Sequence, residues 1–182
     1  MARNPLADAL GLLAADLTAL VEALRERGET VATAESLTGG LVAAVLTSVP
    51  GSSAVVRGGL VVYATPLKTD LAGVSAADLA DHGPVHPVVA EQLAEGARRT
   101  CGASWGLGLT GVAGPDPQDG VEPGVVHLGV SGPDGTTVRT IGVDGNRHQV
   151  RSAAVGAVLG LLRACLDEPP TARGEAVVSS AQ

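Results

Sequence analysis

Apolar residues recur at helical spacing near the beginning of the chain and again near its end. The first run predicts a helix from Leu6 to Arg27 that ends at Gly28, because glycine readily adopts the left-handed conformation that terminates helices. The second run predicts a last helix that begins at segment 145–147 and continues through Leu166. Helical elements therefore frame the chain.

Short strand and helix patterns alternate between these two runs. Apolar and β-branched segments predict strands at 30–34, 59–63, 104–109, 124–131 and 136–143. Helical spacing predicts helices at 41–46, 66–71, 76–81 and 88–101. The turn sequence Pro133-Asp134-Gly135 predicts a hairpin between the last two strands, and the glycines and prolines of 112–123 predict a loop.

This order of elements predicts the fold class. Helices and strands interleave early and a hairpin comes late, which is typical of an α/β fold, here a three-layer α/β/α sandwich with a mixed central sheet. No repeat or linker divides the chain, so we predict one domain over residues 1–166. Segment 167–182 is rich in Pro, Ser, Ala and charge, and we predict a disordered tail there.

Composition and charge narrow the classes of function. The 182 residues are 45% hydrophobic but only 1% aromatic, so the core must be aliphatic. A net charge of -7 with scattered arginines argues against a nucleic-acid surface. The start of the chain resembles neither a signal peptide nor a membrane span, and Cys101 and Cys165 lack a C-x-x-C partner. We therefore expect a cytoplasmic protein with two buried, reduced thiols.

Lys68 is the only lysine of the chain, against eleven arginines, and it follows the only tyrosine, Tyr63, by five positions. A guanidinium cannot lose its proton in a protein, whereas an ammonium in a poorly hydrated pocket can become a neutral base. Lys68 is therefore a candidate general base. The alternative is that a composition rich in arginine happened to leave one lysine on a surface.

The turn after the first predicted strand carries a candidate nucleophile, Ser36. Thr38, Gly39 and Gly40 follow it at the predicted start of a helix, where free amides and the helix dipole can hold a phosphate or an oxyanion. A hydroxyl at this place is also a common helix cap, which is the alternative for Ser36 and Thr38. Serine with a neutral lysine is a known nucleophile and base pair, and Tyr63 could pass the proton or orient the amine.

Two further segments could bind a ligand. Thr110, Gly111 and Gly114 follow a buried strand, where ligands collect in α/β sheets, and Arg147 enters the last helix at the end where anions bind. Segment 106–111 matches the dinucleotide pattern G-x-G-x-x-G, but a proline-rich loop follows instead of a helix, so we interpret that match as accidental. The four histidines show no ligand spacing, and we predict no metal and no cofactor.

Six segments, taken in order, resemble a known family: Ala34-Glu35-Ser36-x-Thr38-Gly39-Gly40, Pro50-Gly51-Ser52-Ser53, Tyr63-x4-Lys68, His82-Gly83-x-Val85, Thr110-Gly111-Val112-Ala113-Gly114-Pro115 and Gly145-Asn146-Arg147. Together they resemble the C-terminal domain of the competence/damage-inducible protein CinA, the family of nicotinamide mononucleotide deamidases. The resemblance covers about residues 8–166.

The resemblance implies hydrolysis of the carboxamide of nicotinamide mononucleotide to nicotinate mononucleotide and ammonia, in pyridine nucleotide salvage. It implies Ser36 as the nucleophile, Lys68 as the base and Tyr63 as the accompanying hydroxyl, with Thr110 and Arg147 in the substrate site. It also implies an α/β/α sandwich, a homodimer and no metal. Larger members carry an additional N-terminal domain, so we expect this chain to be a stand-alone form.

The chain departs from the family pattern at Leu37, Thr65 and His86, where many members have cysteine, asparagine and serine. These departures concern substrate preference more than reaction type. One alternative function is a non-catalytic nucleotide-binding module of the same fold. Another is a short-chain dehydrogenase, but its tyrosine and lysine are four apart on one helix, whereas Tyr63 and Lys68 are five apart across Pro66.

Overall fold

The computed structural model describes residues 4–167, in which five strands form one sheet. In chain order the strands are β1 (Val31–Glu35), β2 (Val56–Val61), β3 (Trp105–Gly111), β4 (Val125–Gly132) and β5 (Gly135–Gly142). They lie side by side in the order β2-β1-β3-β4-β5. β1 pairs in parallel with β2 and β3, whereas β4 is antiparallel to both β3 and β5. The predicted mixed sheet is confirmed.

Helices connect and cover these strands. They are α1 (Pro5–Ala9), α2 (Ala14–Glu26), α3 (Leu41–Thr47), α4 (Thr65–Ala72), α5 (Ala76–His82), α6 (Pro87–Cys101) and α7 (Arg147–Asp167), with a single 3-10 turn at Ser52–Ala54. The connections from β1 to β2 and from β2 to β3 are helical, as parallel strands require.

The two faces of the sheet are covered by different helices. Leu107 and Leu109 of β3 are fully buried in a cluster with side chains of α2, α3 and α7. The alternate positions, Gly106 and Gly108, face α6, where a Cβ on either would collide with the α6 backbone. Since successive side chains of a strand point to opposite faces, this contrast shows that helices lie on both sides. The predicted α/β/α layering is confirmed.

The predicted first helix, Leu6 to Arg27, is wrong as one element. The chain forms α1 and α2 separately, and Gly11 between them has a φ of 68°. Asn4 begins α1, since its side chain accepts a hydrogen bond from the amide of Ala7. The apolar spacing continues across the break because both helices bury the same side, which hides the break from the sequence pattern.

Smaller differences concern element ends and burial. β3 continues two residues beyond Leu109, and β2 starts at Val56 and ends at Val61, earlier at both ends than predicted. Asp167 belongs to α7, and the remainder of the predicted tail, 168–182, lies outside the described residues. Cys101 and Cys165 are only half-buried, so the prediction of two buried thiols was wrong.

Trp105, the only tryptophan, marks the end of the sheet opposite to the carboxyl ends of the parallel strands. Its side chain is 6% exposed, and its ring N–H donates to Glu29 over 2.7 Å. The ring also packs directly against Gly132 of β4. The amino end of β3 is therefore closed by a well-packed indole.

Helix α7 is long and apolar enough to cross a membrane by length and composition alone. Core helices have the same composition, and the buried side chains of α7 pack in the cluster on one face of the sheet. In this fold α7 is accordingly a core helix.

Candidate active site

A cavity of about 320 Å³ opens at one end of the strands of the sheet. Because β1, β2 and β3 are parallel, their carboxyl ends lie together at this end of the sheet. Ligands bind at the carboxyl ends of the strands in open α/β sheets. Seven of the ten residues proposed from the sequence line the cavity: Ser36, Tyr63, Lys68, Thr110, Gly111, Gly114 and Arg147. Thr38, Gly39 and Gly40 do not.

The side chains of Lys68 and Ser36 meet at the inner wall of this cavity. The Lys68 Nζ donates to Ser36 Oγ over 3.2 Å, to the Val62 carbonyl over 2.8 Å and to the Tyr63 carbonyl at 3.5 Å. Lys68 is 1% exposed and Ser36 is 9% exposed. The structure thus places the only lysine within hydrogen-bond distance of the candidate nucleophile.

The surroundings of Lys68 disfavour its charged form. Burial lowers the pKa of the Lys68 ammonium to about 8, since water is not available to solvate the charge. No carboxylate within residues 4–167 forms an ion pair with it. A neutral amine can donate its two N–H groups to the two carbonyls, and its lone pair can accept the proton of the Ser36 hydroxyl. The geometry suits an amine that takes a proton from Ser36.

Local structure holds both residues in place. Ser36 directly follows β1, and its amide donates to the Leu109 carbonyl of β3. Its carbonyl accepts from the amide of Gly39, which closes the turn. Lys68 lies in the first turns of α4, which begins at Thr65 with Pro66 as an early helical residue. Each side chain is thus fixed at the junction of a strand and a helix.

Tyr63 contributes to the site differently from the prediction. Its main-chain carbonyl, not its hydroxyl, is close to the Lys68 amine. The hydroxyl accepts a hydrogen bond from Arg147 Nη2 over 3.1 Å, and the side chain is 60% exposed. Tyr63 and Arg147 therefore meet at the rim of the cavity.

Arg147 connects two walls of the cavity. Besides its contact with Tyr63, its Nη1 donates to the Gly114 carbonyl over 3.0 Å. It is the first residue of α7, where the amides of His148 and Gln149 donate to the Asn146 side chain. Arg147 and Lys68 are the cationic side chains that line this cavity.

Glu35, which the sequence patterns do not single out, supports the turn that carries Ser36. Its side chain is fully buried and accepts from the amides of Gly40, Val42 and Ala43 at 2.9 to 3.1 Å and from the Thr33 hydroxyl at 3.1 Å. Of the residues proposed for binding a phosphate or an oxyanion, Gly40 donates to Glu35 and Gly39 donates to the Ser36 carbonyl. A carboxylate of the chain itself thus lies at the start of α3, and these amides are engaged without a ligand.

Other amides near Ser36 have no such partner. Within residues 4–167, the amides of Leu37, Ala113 and Gly114 donate no hydrogen bond to the protein, and all three residues line the cavity. Arg151 of α7 donates to the carbonyls of Leu37 and Thr38 at 3.0 and 2.8 Å. The turn after Ser36 is thus held rigid through its carbonyls, while its Leu37 amide stays available.

The two threonines proposed for substrate binding have different environments. The Thr110 hydroxyl donates to the Pro84 carbonyl over 2.7 Å, which ties the end of β3 to the segment before α6. The Thr38 hydroxyl is buried and has no partner within the described residues. Thr110 shapes the cavity, whereas Thr38 lies behind it.

Two wall segments were not predicted. Pro84 and Val85 form one of them, and the loop after Gly114 contributes Asp116, Pro117 and Gln118. The sequence signal for the loop was its density of turn-forming residues, which indicated a loop but not a cavity wall.

Comparisons with known proteins identify a family. The family model of the CinA C-terminal domain matches residues 14–166. A CinA-like protein from Anaeromyxobacter dehalogenans is 51% identical over 148 residues, and one from Frankia casuarinae is 47% identical over 143 residues. These matches cover 81% and 79% of this chain but only 36% and 33% of the relatives. The chain spans about a third of the length of these relatives.

Solved structures show the same fold. The competence/damage inducible protein from Agrobacterium tumefaciens has a TM-score of 0.77 and 35% identity, with 84% of this chain and 96% of that chain covered. A protein of the competence-damaged (CinA) superfamily from Klebsiella pneumoniae has a TM-score of 0.80 and 27% identity over the same shares.

Proposed function

This chain belongs to the CinA C-terminal domain family, and from that membership we propose that it hydrolyses the carboxamide of nicotinamide mononucleotide to nicotinate mononucleotide and ammonia. Known members of the family are deamidases of this nucleotide. The observation that best supports the proposal is the distance of 3.2 Å between Lys68 Nζ and Ser36 Oγ, in an environment that lowers the pKa of the amine.

The first step is proton transfer. The neutral Lys68 amine takes the proton of the Ser36 hydroxyl as the oxygen attacks the carboxamide carbon. At pH 7 a pKa of about 8 leaves roughly a tenth of the molecules with a neutral amine. The Val62 and Tyr63 carbonyls hold the nitrogen in place throughout, because they accept its other protons.

The second step is collapse of the tetrahedral intermediate. Its negative oxygen requires hydrogen-bond donors, and the amides of Leu37, Ala113 and Gly114 are the candidates that line the cavity. Lys68 returns the proton to the departing nitrogen, so the C–N bond breaks and ammonia leaves. Water, activated by the same amine, then hydrolyses the Ser36 ester and releases the carboxylate.

Arg147 is the residue that we assign to the substrate phosphate. The start of α3 is occupied by Glu35, so it cannot hold that anion. Arg147 lies at the rim of the same cavity as Ser36, and a guanidinium can bind a phosphate with two parallel hydrogen bonds. Binding would exchange its contacts with Gly114 and Tyr63 for contacts with the ligand.

The test of the mechanism is Lys68→Arg, which preserves the charge but not the basicity. We expect ammonia release from nicotinamide mononucleotide to fall at least about a hundredfold, as is typical for loss of a general base. Lys68→Met is the smaller companion variant, and thermal melting of both shows whether they fold. Folded variants that release ammonia at the native rate would contradict the role of Lys68.

Substrate preference is tested with the same ammonia assay. Nicotinamide mononucleotide, nicotinamide riboside and nicotinamide differ by the phosphate and then the ribose, so their relative rates measure how far each group is recognised. Calorimetric binding of the nucleotide without ammonia release by the native chain would favour the alternative, a non-catalytic nucleotide-binding module.

The remaining expectations stay proposals. We propose that the chain acts in the cytoplasm, in pyridine nucleotide salvage, without a metal or another cofactor and without a nucleic-acid or membrane partner. We also propose a homodimer, and the exposed apolar side chains of Val61, the last residue of the outer strand β2, and of Tyr63 shortly after it support such an association.

A further inference from the structure

Asp116 has no role in the mechanism above, although it lines the same cavity as Ser36. Its side chain is exposed, and within residues 4–167 it forms neither a hydrogen bond nor an ion pair. The wall segment from Gly114 to Gln118 is held at its first residue, because Arg147 donates to the Gly114 carbonyl. The cavity wall thus presents an unpartnered carboxylate.

An unpartnered carboxylate is unfavourable in a cavity that receives an anionic phosphate, unless it faces a positive part of the ligand. Lys68 and Arg147, the two cationic residues of the wall, are already assigned to the carboxamide end and to the phosphate. The part of the substrate between these ends is the pyridine ring. In nicotinamide mononucleotide that ring is a pyridinium, with a full positive charge on the nitrogen that carries the ribose.

We propose that Asp116 recognises the positive charge of the substrate ring, so that the chain selects N-ribosylated pyridinium carboxamides over carboxamides with neutral rings. This inference rests on the proposed function for the identity of the substrate. Family membership alone does not identify the charge of the ring as a determinant of specificity. Asp116 acts on binding only and takes no part in proton transfer.

The test measures binding in a chain that cannot turn the ligand over. Ser36→Ala is titrated calorimetrically with nicotinamide mononucleotide and with its 1,4-dihydro form, which has the same ribose and phosphate but a neutral ring. We expect Asp116→Asn in this background to weaken binding of the pyridinium ligand roughly fivefold, as for an exposed ion pair. Binding of the dihydro ligand should stay within about twofold, and the difference should shrink at high salt.

Glu122→Gln is the matched control, because it removes one negative charge from the same loop at an exposed residue outside the cavity wall. It should change neither affinity. An equal loss for both ligands in Asp116→Asn would show that the carboxylate binds the ribose hydroxyls, and no loss for either would show that it binds neither part. Both results would overturn the proposal.

The outcomes separate this inference from the proposed function. If the native chain releases no ammonia but the Ser36→Ala chain prefers the pyridinium ligand through Asp116, the deamidase proposal fails and the ring-charge inference stands. If the Ser36→Ala chain binds neither ligand, both the substrate and the role of Asp116 are overturned.

Discussion

Lys68 combines two properties at the scale of one residue: it is almost completely buried, and it has no carboxylate partner within residues 4–167. A buried arginine would remain charged at this place, so the chemistry explains why the one lysine of the chain lies here. The sequence alone pointed to Lys68 and Ser36 through their residue types. It could not show their contact, which depends on the pairing of β1 with β2.

The pH dependence of the rate follows from Lys68. The base must be deprotonated to accept the Ser36 proton, so kcat/KM for nicotinamide mononucleotide should rise about tenfold per pH unit below the pKa and level off above it. The midpoint should lie near the pKa of Lys68, about 8. Initial ammonia rates between pH 6.5 and 9.5 measure this, with enzyme-free samples as the control for alkaline decay of the substrate. A flat profile over this range would contradict a lysine base.

At the scale of elements, the junction of β1 and α3 depends on Glu35. The residue was overlooked because an acidic residue at the end of a predicted strand gives no sign of burial. In the structure it replaces the anion that we had expected at the start of α3, since it accepts from three amides there. Asp116 was hidden in a similar way, because a turn-rich loop does not reveal which side chains face a cavity. Both residues became recognisable only once the fold brought distant segments together.

Glu35→Gln tests this junction. The amide N–H₂ of glutamine would face backbone donors, and the charge-assisted hydrogen bonds would be lost, so the free energy of unfolding should fall by about 2–4 kcal/mol. Because Ser36 is the next residue, kcat should fall more than KM changes. Urea unfolding and the ammonia assay measure the two effects. Glu26→Gln, at an exposed position of α2, is the control and should behave like the native chain.

At the scale of the whole molecule, the strand order creates the site. Ser36, Lys68 and Arg147 are far apart in the chain, and they meet because β1 lies between β2 and β3 and because α7 begins at the same edge. The α/β class and layering were predictable from the alternation of patterns. The order of the strands was not, since local periodicity carries no information about which strands pair. The break between α1 and α2 was not predictable either, because both helices bury one continuous side.

The outer position of β2 leads to a prediction about assembly. A strand at the edge of a sheet has unpaired backbone groups, and Val61, the last residue of β2, is 48% exposed. We expect the native chain to have twice the mass of the 18.0 kDa monomer in light scattering. Val61→Asp should shift it toward the monomer. Leu13→Asp, at another exposed apolar residue, is the control, and a native chain that is monomeric at high concentration would contradict the dimer.

The position of Trp105 makes the molecule a convenient subject for spectroscopy. The seven residues of β3 separate the indole from the cavity by roughly 20 Å, so a ligand at the cavity does not touch it. The chain has one tryptophan and one tyrosine, so fluorescence excited at wavelengths that tyrosine does not absorb comes from this single ring. In the ligand-free chain its emission reports the integrity of the fold around Trp105. A variant that loses turnover can thereby be distinguished optically from one that has simply come apart.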